Sequence, residues 1–383
     1  MREVVIVDAM RTPMGRRGGM FREVHPVRLA SDLVRDLVKR AGIDGKHVDH
    51  LVCGCVSQVG DQAFNIARNI GLDAGLPIEI AATSVDFQCG SGQQAEQVAA
   101  AMVGSGQCDV VIAGGVENMT RVPMLSSGSG GVPFTERMME EHSLQHQGVC
   151  SDEIAAKWGI TREQADEIAY QSHLRAGKAH ANGWFANEMA PREGLDADGK
   201  PIEANFDEGV RANPNLEKMQ SLPFVFTEHG PTTAANSSQI TDGAAFSIFV
   251  AQEKAAELGL KPIARVIECA TVGSDPHLML TGPIAATKKV LERAAMTVDQ
   301  IDLFEINEAF GVIVGMWMKD LGIPHEKTNV HGGAIALGHP LGASGARLTA
   351  TLVNALATHD KRYGLQTVCC GGGLGIAMII ERV

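Results

Sequence analysis

Residues 83–102 read TSVDFQCGSGQQAEQVAAAM: a β-branched run, a bend built on Cys89, Gly90, Ser91 and Gly92, and a helix-forming tail. The pattern predicts a strand, a sharp turn and a helix in immediate succession. A cysteine at that bend has two readings. Buried cysteines are common small hydrophobes and turns recruit glycine, so packing alone accounts for the stretch in isolation. A thiol at a helix start also gains from the positive end of the helix dipole, which lowers its pKa and favours the nucleophilic form. The rest of the chain decides between them.

Working outward, the chain has 383 residues, 45% hydrophobic and 20% charged. These are ordinary globular proportions, with length enough for two or three domains and a large core. A net charge of −12 argues against general nucleic-acid binding and leaves isolated arginines and histidines to hold any anionic ligand. The start, MREVVIVDAM, enters an apolar run without a basic segment and cleavage site. No stretch approaches the roughly 18 consecutive apolar residues of a membrane span. A cytoplasmic protein without a membrane partner is expected. Eight cysteines are too few for a disulfide scaffold, so reduced thiols are expected. Cys53 and Cys55 lack metal spacing, and no second Cys or His pair completes a set, so no metal is expected.

In the first third, EVVIVDA reads as a strand, VRLASDLVRDLVKRAGI as a helix stopped by Gly42, and DHLVCGCV as a strand. ATSVDF, the Cys89 helix through Met102 and DVVIAGGVENM continue the alternation, which predicts a largely parallel sheet covered on both faces. From about Asn118 to Ile240 the texture changes. SSGSGG reads as a loop, residues 151–183 as helix with Ser151 as cap and Gly183 as stop, and DADGKP as a turn. This reads as an insertion. The alternation resumes with AAFSIFVAQEKAAELG, ARVIECATVG, GPIAATKKVLERAAM and IDLFEIN.

The two α/β portions share one order. VDHLVCGCV (48–56) matches QIDLFEINEAF (300–310), CGSGQQAEQVAAAMV matches GASGARLTATLVNAL, and DVVIAGGVE matches LQTVCCGGG. This pattern predicts an internal duplication, with corresponding turns converging at one end of the sheets. The segments are 1–117 as the N-terminal half, continued by 241–265; 118–240 as the insertion; and 266–383 as the C-terminal half. Four turns then meet, carrying Cys89, Asn307, His339 and the Cys369–Cys370–Gly371 run. Two thiols, an imidazole, an amide and backbone N–H groups suit acyl transfer to carbon: one thiol as nucleophile, the imidazole as its base, the second thiol as a proton acceptor.

These residues carry a resemblance. RTPMG, CGSGQQA, GGVENM, NEAF, GGAIALGHPLGASG and CCGGGLG stand in this order along the chain, and over essentially its whole length the sequence resembles a thiolase, an acetyl-CoA acyltransferase. The resemblance implies a duplicated, layered α/β/α/β/α fold whose inserted loop domain covers coenzyme A. It implies Cys89 as the acylated nucleophile, His339 as its base and Cys369 as the thiol that removes or returns the α-proton of acetyl-CoA. It also implies that Asn307 holds a water in one oxyanion hole with His339, and that the N–H groups of Cys89 and Gly371 form the second. Cys370 takes a variable position and is expected in the core. Arg211 and Ser238 resemble coenzyme A contacts, His146 a histidine lining the pantetheine region and Met279 a pocket-lining residue. Coenzyme A and acetyl-CoA are implied as substrates, no cofactor as permanently bound, and a homodimer or homotetramer as the assembly.

Three positions depart from the family pattern. Gln147 stands where short-chain members commonly have methionine, Gln239 where glycine is usual, and His331 where asparagine is common. A buried amide is costly unless paired, so the loop carrying Gln147 is expected to face water or turn from the pocket, leaving it open to longer acyl chains. Thiolysis of a 3-ketoacyl-CoA is the expected direction. Acetoacetyl-CoA synthesis and a ketoacyl-synthase-type condensing enzyme are the alternatives, and a nonenzymatic redox or ligand-binding protein the remote one.

Overall fold

The computed structural model describes residues 2–383. The N-terminal portion contains β1 (Val4–Arg11), α1 (Pro26–Ala41), β2 (His50–Gly54), α2 (Ile66–Asp73), β3 (Ala81–Val85), α3 (Ser91–Gly104) and β4 (Val110–Asn118). The longest helices of the stretch that follows are α4 (Gln147–Trp158) and α5 (Arg162–Ala181), and the main sheet resumes with β5 (Thr241–Ala251) and β6 (Ala264–Gly273). The chain ends with α6 (Gly282–Arg293), β7 (Leu303–Ile306), α7 (Gly311–Leu321), α8 (Leu341–Thr358), β8 (Tyr363–Cys370) and β9 (Leu374–Arg382). Local chemistry explains the boundaries. Helix α1 opens with Pro26 at its first position, capped by His25, whose ring accepts from Val27 N, and closes at Gly42 with φ +70°.

The strands hydrogen-bond in the order β7-β8-β9-β6-β1-β5-β4-β2-β3. Two similar half-sheets meet where β1 touches β6, through only Val5↔Arg265 and Ile6↔Ala264. In the first, β3, β2 and β4 run parallel, β5 returns antiparallel, and β1, antiparallel to β5, runs with the first three. In the second, β7 and β8 run parallel, β9 returns antiparallel, and β6, antiparallel to β9, runs with the first two. The expected largely parallel sheet is therefore mixed. Strand β9 follows β8 through the Gly371–Gly373 hairpin instead of a helical crossover, and β5 enters from the far side of the insertion.

Five layers result. Leu33, Val34 and Leu37 of α1 with Ile66 and Ile70 of α2 cover one outer face of the first half-sheet. Ile284 and Val290 of α6 with Val312 and Trp317 of α7 cover the opposite outer face of the second. Between the sheets lie α3 and α8, packing Ala95, Ala99 and Val103 with Ala350, Leu352 and Ala355 against both. Residues 341–356 of α8 are all buried, as a helix enclosed on every side requires.

The 151–183 stretch departs from the single expected helix. Gly159 at φ +62° ends α4, and Thr161 starts α5 with a capping box to Gln164. Ser151 is interior; His146 caps α4 by accepting from Gly148 N. The chain beyond α5 docks on Arg11 at the end of β1. Its guanidinium donates to Glu188 at 2.5 Å and to both Asp207 oxygens at 2.7 and 3.0 Å, and lies 4.7 Å from the Phe185 ring centre.

The central helices cross with backbones in contact. A Cβ on Gly345 would stand 2.3 Å from Gln93 N, and one on Gly92 2.7 Å from the Gly342 carbonyl oxygen. Gly345→Ala is expected to cost about 3 kcal/mol of stability through overpacking. Gly131→Ala, at a position with open space around it, is expected to be neutral. Urea unfolding midpoints compare the two.

Candidate active site

The nucleophile turn is built from its own residues. Gln88 adopts φ +50°, a left-handed conformation costing about 1 kcal/mol for a residue with a side chain. Neighbouring side chains hold it there: Asp86 accepts from Gln88 N at 2.8 Å, and the Ser91 hydroxyl accepts from Phe87 N at 2.8 Å while donating to the Gln88 carbonyl at 2.6 Å. The turn leaves Cys89 half-buried just before α3. The expected lowering of its pKa does not hold. Burial pushes the thiol up to about 12, although the N–H groups of Gly371 and of Cys89 itself lie against the sulfur and pull the other way. One dipole end cannot offset the loss of water.

Cys369, the penultimate residue of β8, is fully buried, and its thiol is pushed up by burial and then by its nearness to the Cys89 sulfur. Cys370 points to the other face of the strand, packs with Phe87, Leu348 and Ile376, and sits against Gly90, where a Cβ would meet its sulfur at 2.7 Å. It is a core residue, as expected.

His339 enters at the start of the second central helix. Gly338 precedes it at φ +111°, with Thr241 filling the space a Cβ would need. The His339 ring is 5% exposed and held at both nitrogens: Nδ1 lies 2.5 Å from the Ser344 hydroxyl, and Nε2 lies 3.3 Å from Asn307 Nδ2. Burial and then Arg347 depress its pKa to about 3, so the ring is neutral near pH 7. A neutral imidazole has a free lone pair, the state a base requires.

Beneath these turns lies Glu117, in the GGVENM stretch. Its buried carboxylate accepts from Val56 N at 2.9 Å, Ser57 N at 3.0 Å, Gln62 Nε2 at 2.7 Å and Gly342 N at 2.9 Å. Three donors come from the first half and one from the second, three residues after His339. The motif was visible in the sequence, whereas the partners of its carboxylate were not, since they lie 55 to 225 residues away.

The remaining candidates fall into two groups. His146, Gln147, Ser238 and His339 line one cavity of about 210 Å³, with Phe226 and Gln239. His146 stacks on Phe226 at 5.2 Å. Gln147 does not turn away from this space: α4 begins at that residue and directs it inward, half-buried. Arg211 and Met279 lie outside the lining. Arg211 is exposed on a turn whose backbone N–H donates to His173 Nδ1 at 3.2 Å. Met279 adopts φ +56° and packs on the outer core. Its loop is tied to the cavity wall, because His277 accepts Cys150 Sγ–H at its carbonyl and pairs with Glu153 at 3.0 Å.

Two thiols, a neutral buried imidazole and an amide gather at the converging turns of a duplicated, layered α/β fold, an arrangement suited to acyl transfer. Residues 4–253 match the family description "Thiolase, N-terminal domain" and residues 260–382 "Thiolase, C-terminal domain". The chain belongs to the thiolase family. It is 43% identical over 387 residues to a 3-ketoacyl-CoA thiolase of Marinomonas sp. (strain MWYL1), covering 100% of this chain and 98% of the other. It is 43% identical over 391 residues to one from Klebsiella pneumoniae, covering 100% of both. Among solved structures, the Bacillus anthracis acetyl-CoA acetyltransferase superposes with a TM-score of 0.92 at 36% identity, and human mitochondrial 3-ketoacyl-CoA thiolase with 0.91 at 34%. Both cover 100% of this chain and 99% of the other. No helix of the described residues is long and apolar enough to cross a membrane.

Burial leaves a pH signature at His331, whose pKa falls to about 3 through desolvation and then the neighbouring His359 and Arg11. The unfolded side chain titrates near 6.5. Between these values the unfolded state takes up a proton that the folded state refuses, so stability falls as pH drops through about 6.5 toward 3. Compared with His331→Asn, the wild type is expected to lose up to about 1.4 kcal/mol per pH unit across that window. Urea unfolding at pH 7.5, 6 and 5 measures the difference.

Proposed function

We propose that this enzyme cleaves 3-ketoacyl-CoA with coenzyme A through an acyl-Cys89 intermediate, releasing acetyl-CoA and a shortened acyl-CoA. The observation that carries this reading is the neutral His339 ring, held between Ser344 and Asn307 and brought to the Cys89 turn by the close crossing of α3 and α8. In that arrangement Cys89 Sγ attacks the 3-keto carbon while its proton passes to His339 Nε2. The C2–C3 bond breaks, and its electron pair leaves as the enolate of acetyl-CoA, stabilised on the Asn307–His339 side. Cys369 Sγ–H returns a proton to the α-carbon. The Cys369 thiolate then takes the proton of the incoming coenzyme A thiol, which attacks the acyl-Cys89 carbonyl; its developing oxyanion faces the N–H groups of Cys89 and Gly371. The departing Cys89 thiolate recovers its proton from His339.

A resting thiol near 12 and an imidazole near 3 are both uncharged. Charge therefore separates as the substrate carbonyl is attacked, inside a site emptied of water where fixed N–H dipoles act strongly. Residues 118–240, between halves 1–117 with 241–265 and 266–383, serve as the cover for coenzyme A. Arg211 takes its phosphates, and Ser238 and His146 its pantetheine arm. Coenzyme A acts as substrate and not as a resident cofactor, and a homodimer or homotetramer in the cytoplasm is the working form. The bacterial relatives named 3-ketoacyl-CoA thiolase support the degradative direction.

Cys89→Ala is expected to abolish acetylation by labelled acetyl-CoA, read by mass spectrometry. Cys369→Ala should still acetylate Cys89 while losing exchange of acetyl-CoA α-protons with solvent. Equal loss of both half-reactions would reject the division between the thiols.

The acyl preference follows from the pocket. Gln147 lines the cavity half-buried, and an acyl chain that passes it gains roughly 0.8 kcal/mol for each methylene it buries. Specificity constants are expected to rise from four-carbon to eight-to-twelve-carbon 3-ketoacyl-CoAs by several-fold. A preference for four carbons would favour acetoacetyl-CoA synthesis, the direction in keeping with the Bacillus anthracis neighbour's title.

A further inference from the structure

We propose that Gln239 is a positioning residue that couples the coenzyme A cover to the His339 base; the inference rests on the acyl-transfer reading above. Its amide Nε2 reaches three carbonyl oxygens, those of Ile335 at 2.8 Å, Gly209 at 3.1 Å and Ala336 at 3.2 Å. Ile335 and Ala336 belong to the short helix Ala334–Leu337, which passes through Gly338 directly into His339. The backbone carbonyl of Gln239 also accepts the His339 N–H at 3.2 Å. One residue thus holds the segment entering the base from its side chain and the base's own backbone from its main chain.

The third carbonyl belongs to the cover. Gly209 lies flat against the amide, where a Cβ would meet Oε1 at 2.5 Å and Nε2 at 2.6 Å. Two residues further on is Arg211, exposed and absent from every ion pair among the described residues. The base of this turn is immobilised by Asp207, which takes the Arg11 guanidinium and accepts from Met14 N at 2.9 Å. Between Asp207 and Arg211, the Gln239 amide is the side-chain hydrogen bond that joins the turn to the His339 segment, beside the packing of Val210 on Ala336 and Leu337.

The coupling follows from geometry. A ligand phosphate drawn to Arg211 orders the turn, the turn fixes the Gly209 carbonyl, and the shared amide transmits that constraint to the His339 segment. Remote binding energy is then spent on placing the base, where a shift of about 1 Å can cost on the order of 100-fold in rate. Two N–H groups shared among three carbonyls make this a donor's task. Glutamate of equal length would face those carbonyls with oxygen, and methionine would present no donor.

The test measures acetylation of Cys89 at saturating acetyl-CoA and at saturating acetyl-S-pantetheine, which lacks the nucleotide. Wild type is expected to react at least about tenfold faster with the full thioester, because the nucleotide seats the base through the clamp. In Gln239→Met, Gln239→Glu and Arg211→Ala the ratio should fall to within about twofold. Arg211→Ala together with Gln239→Met should be no slower than the slower single variant, since both break one chain of contacts. Arg211 is exposed, so its substitution leaves folding intact and keeps the test decisive should a Gln239 variant fail to fold. A ratio preserved in Gln239→Met or Gln239→Glu, or equal wild-type rates with both thioesters, would overturn the coupling while leaving acyl transfer standing. A wild type acetylated by neither would overturn the acyl-transfer reading and the coupling with it.

Discussion

Everything at the site depends on the contact of two helix backbones in the middle of the molecule. At Gly92 and Gly345 the central helices approach so closely that neither admits a methyl group. Because the crossing lies near both N-termini, the residues just before each helix are brought to one place from opposite halves of the chain. Cys89 stands three residues before its crossing glycine and His339 six before its own. Glu117 then locks the arrangement, because a carboxylate filled by four N–H donors from both halves is costly to dismantle. The reacting groups are placed by main chain, the part of a protein least free to shift.

The chemistry is accordingly built from neutral parts. Neither thiol is ionised by its surroundings, and the imidazole is kept unprotonated by burial and by Arg347. A permanently charged thiolate would attract solvent cations and be open to oxidation. In the proposed mechanism the charges arise only with a substrate present to receive them. The Ser344 hydroxyl at His339 Nδ1 suits this design, since a carboxylate in its place would favour the protonated ring.

Much of this was legible in the sequence for a physical reason: strand, tight turn and helix leave local signatures. The Cys89 bend, the duplicated order of elements and strand Ala264–Gly273 follow from periodicity and glycine placement. What escaped was set by partners distant in the chain. Glu117 reads as one residue of a motif until its four donors are seen, and Gln239 reads only as a departure from glycine until its three carbonyls are seen. The break at Gly159 was hidden inside a continuous helical pattern, because Thr161 restarts the helix only three residues after α4 ends. The direction of the Cys89 shift was misread because a helix dipole is visible in sequence and desolvation is not.

The pairing of β1 with β5 has a consequence for how the protein is made. Val4 lies opposite Ala251 and Arg11 opposite Ala245, so β1 waits for this partner strand through some 240 residues of further synthesis. At about 5–20 residues per second that delay lasts tens of seconds. Throughout it, β1, fully buried in the finished molecule, can pack on α1 through Val5 and Val7 but has no strand beside it. Until then the N–H and C=O groups along that edge of β1 stay unpaired, so the sheet cannot close across it before most of the chain has been made.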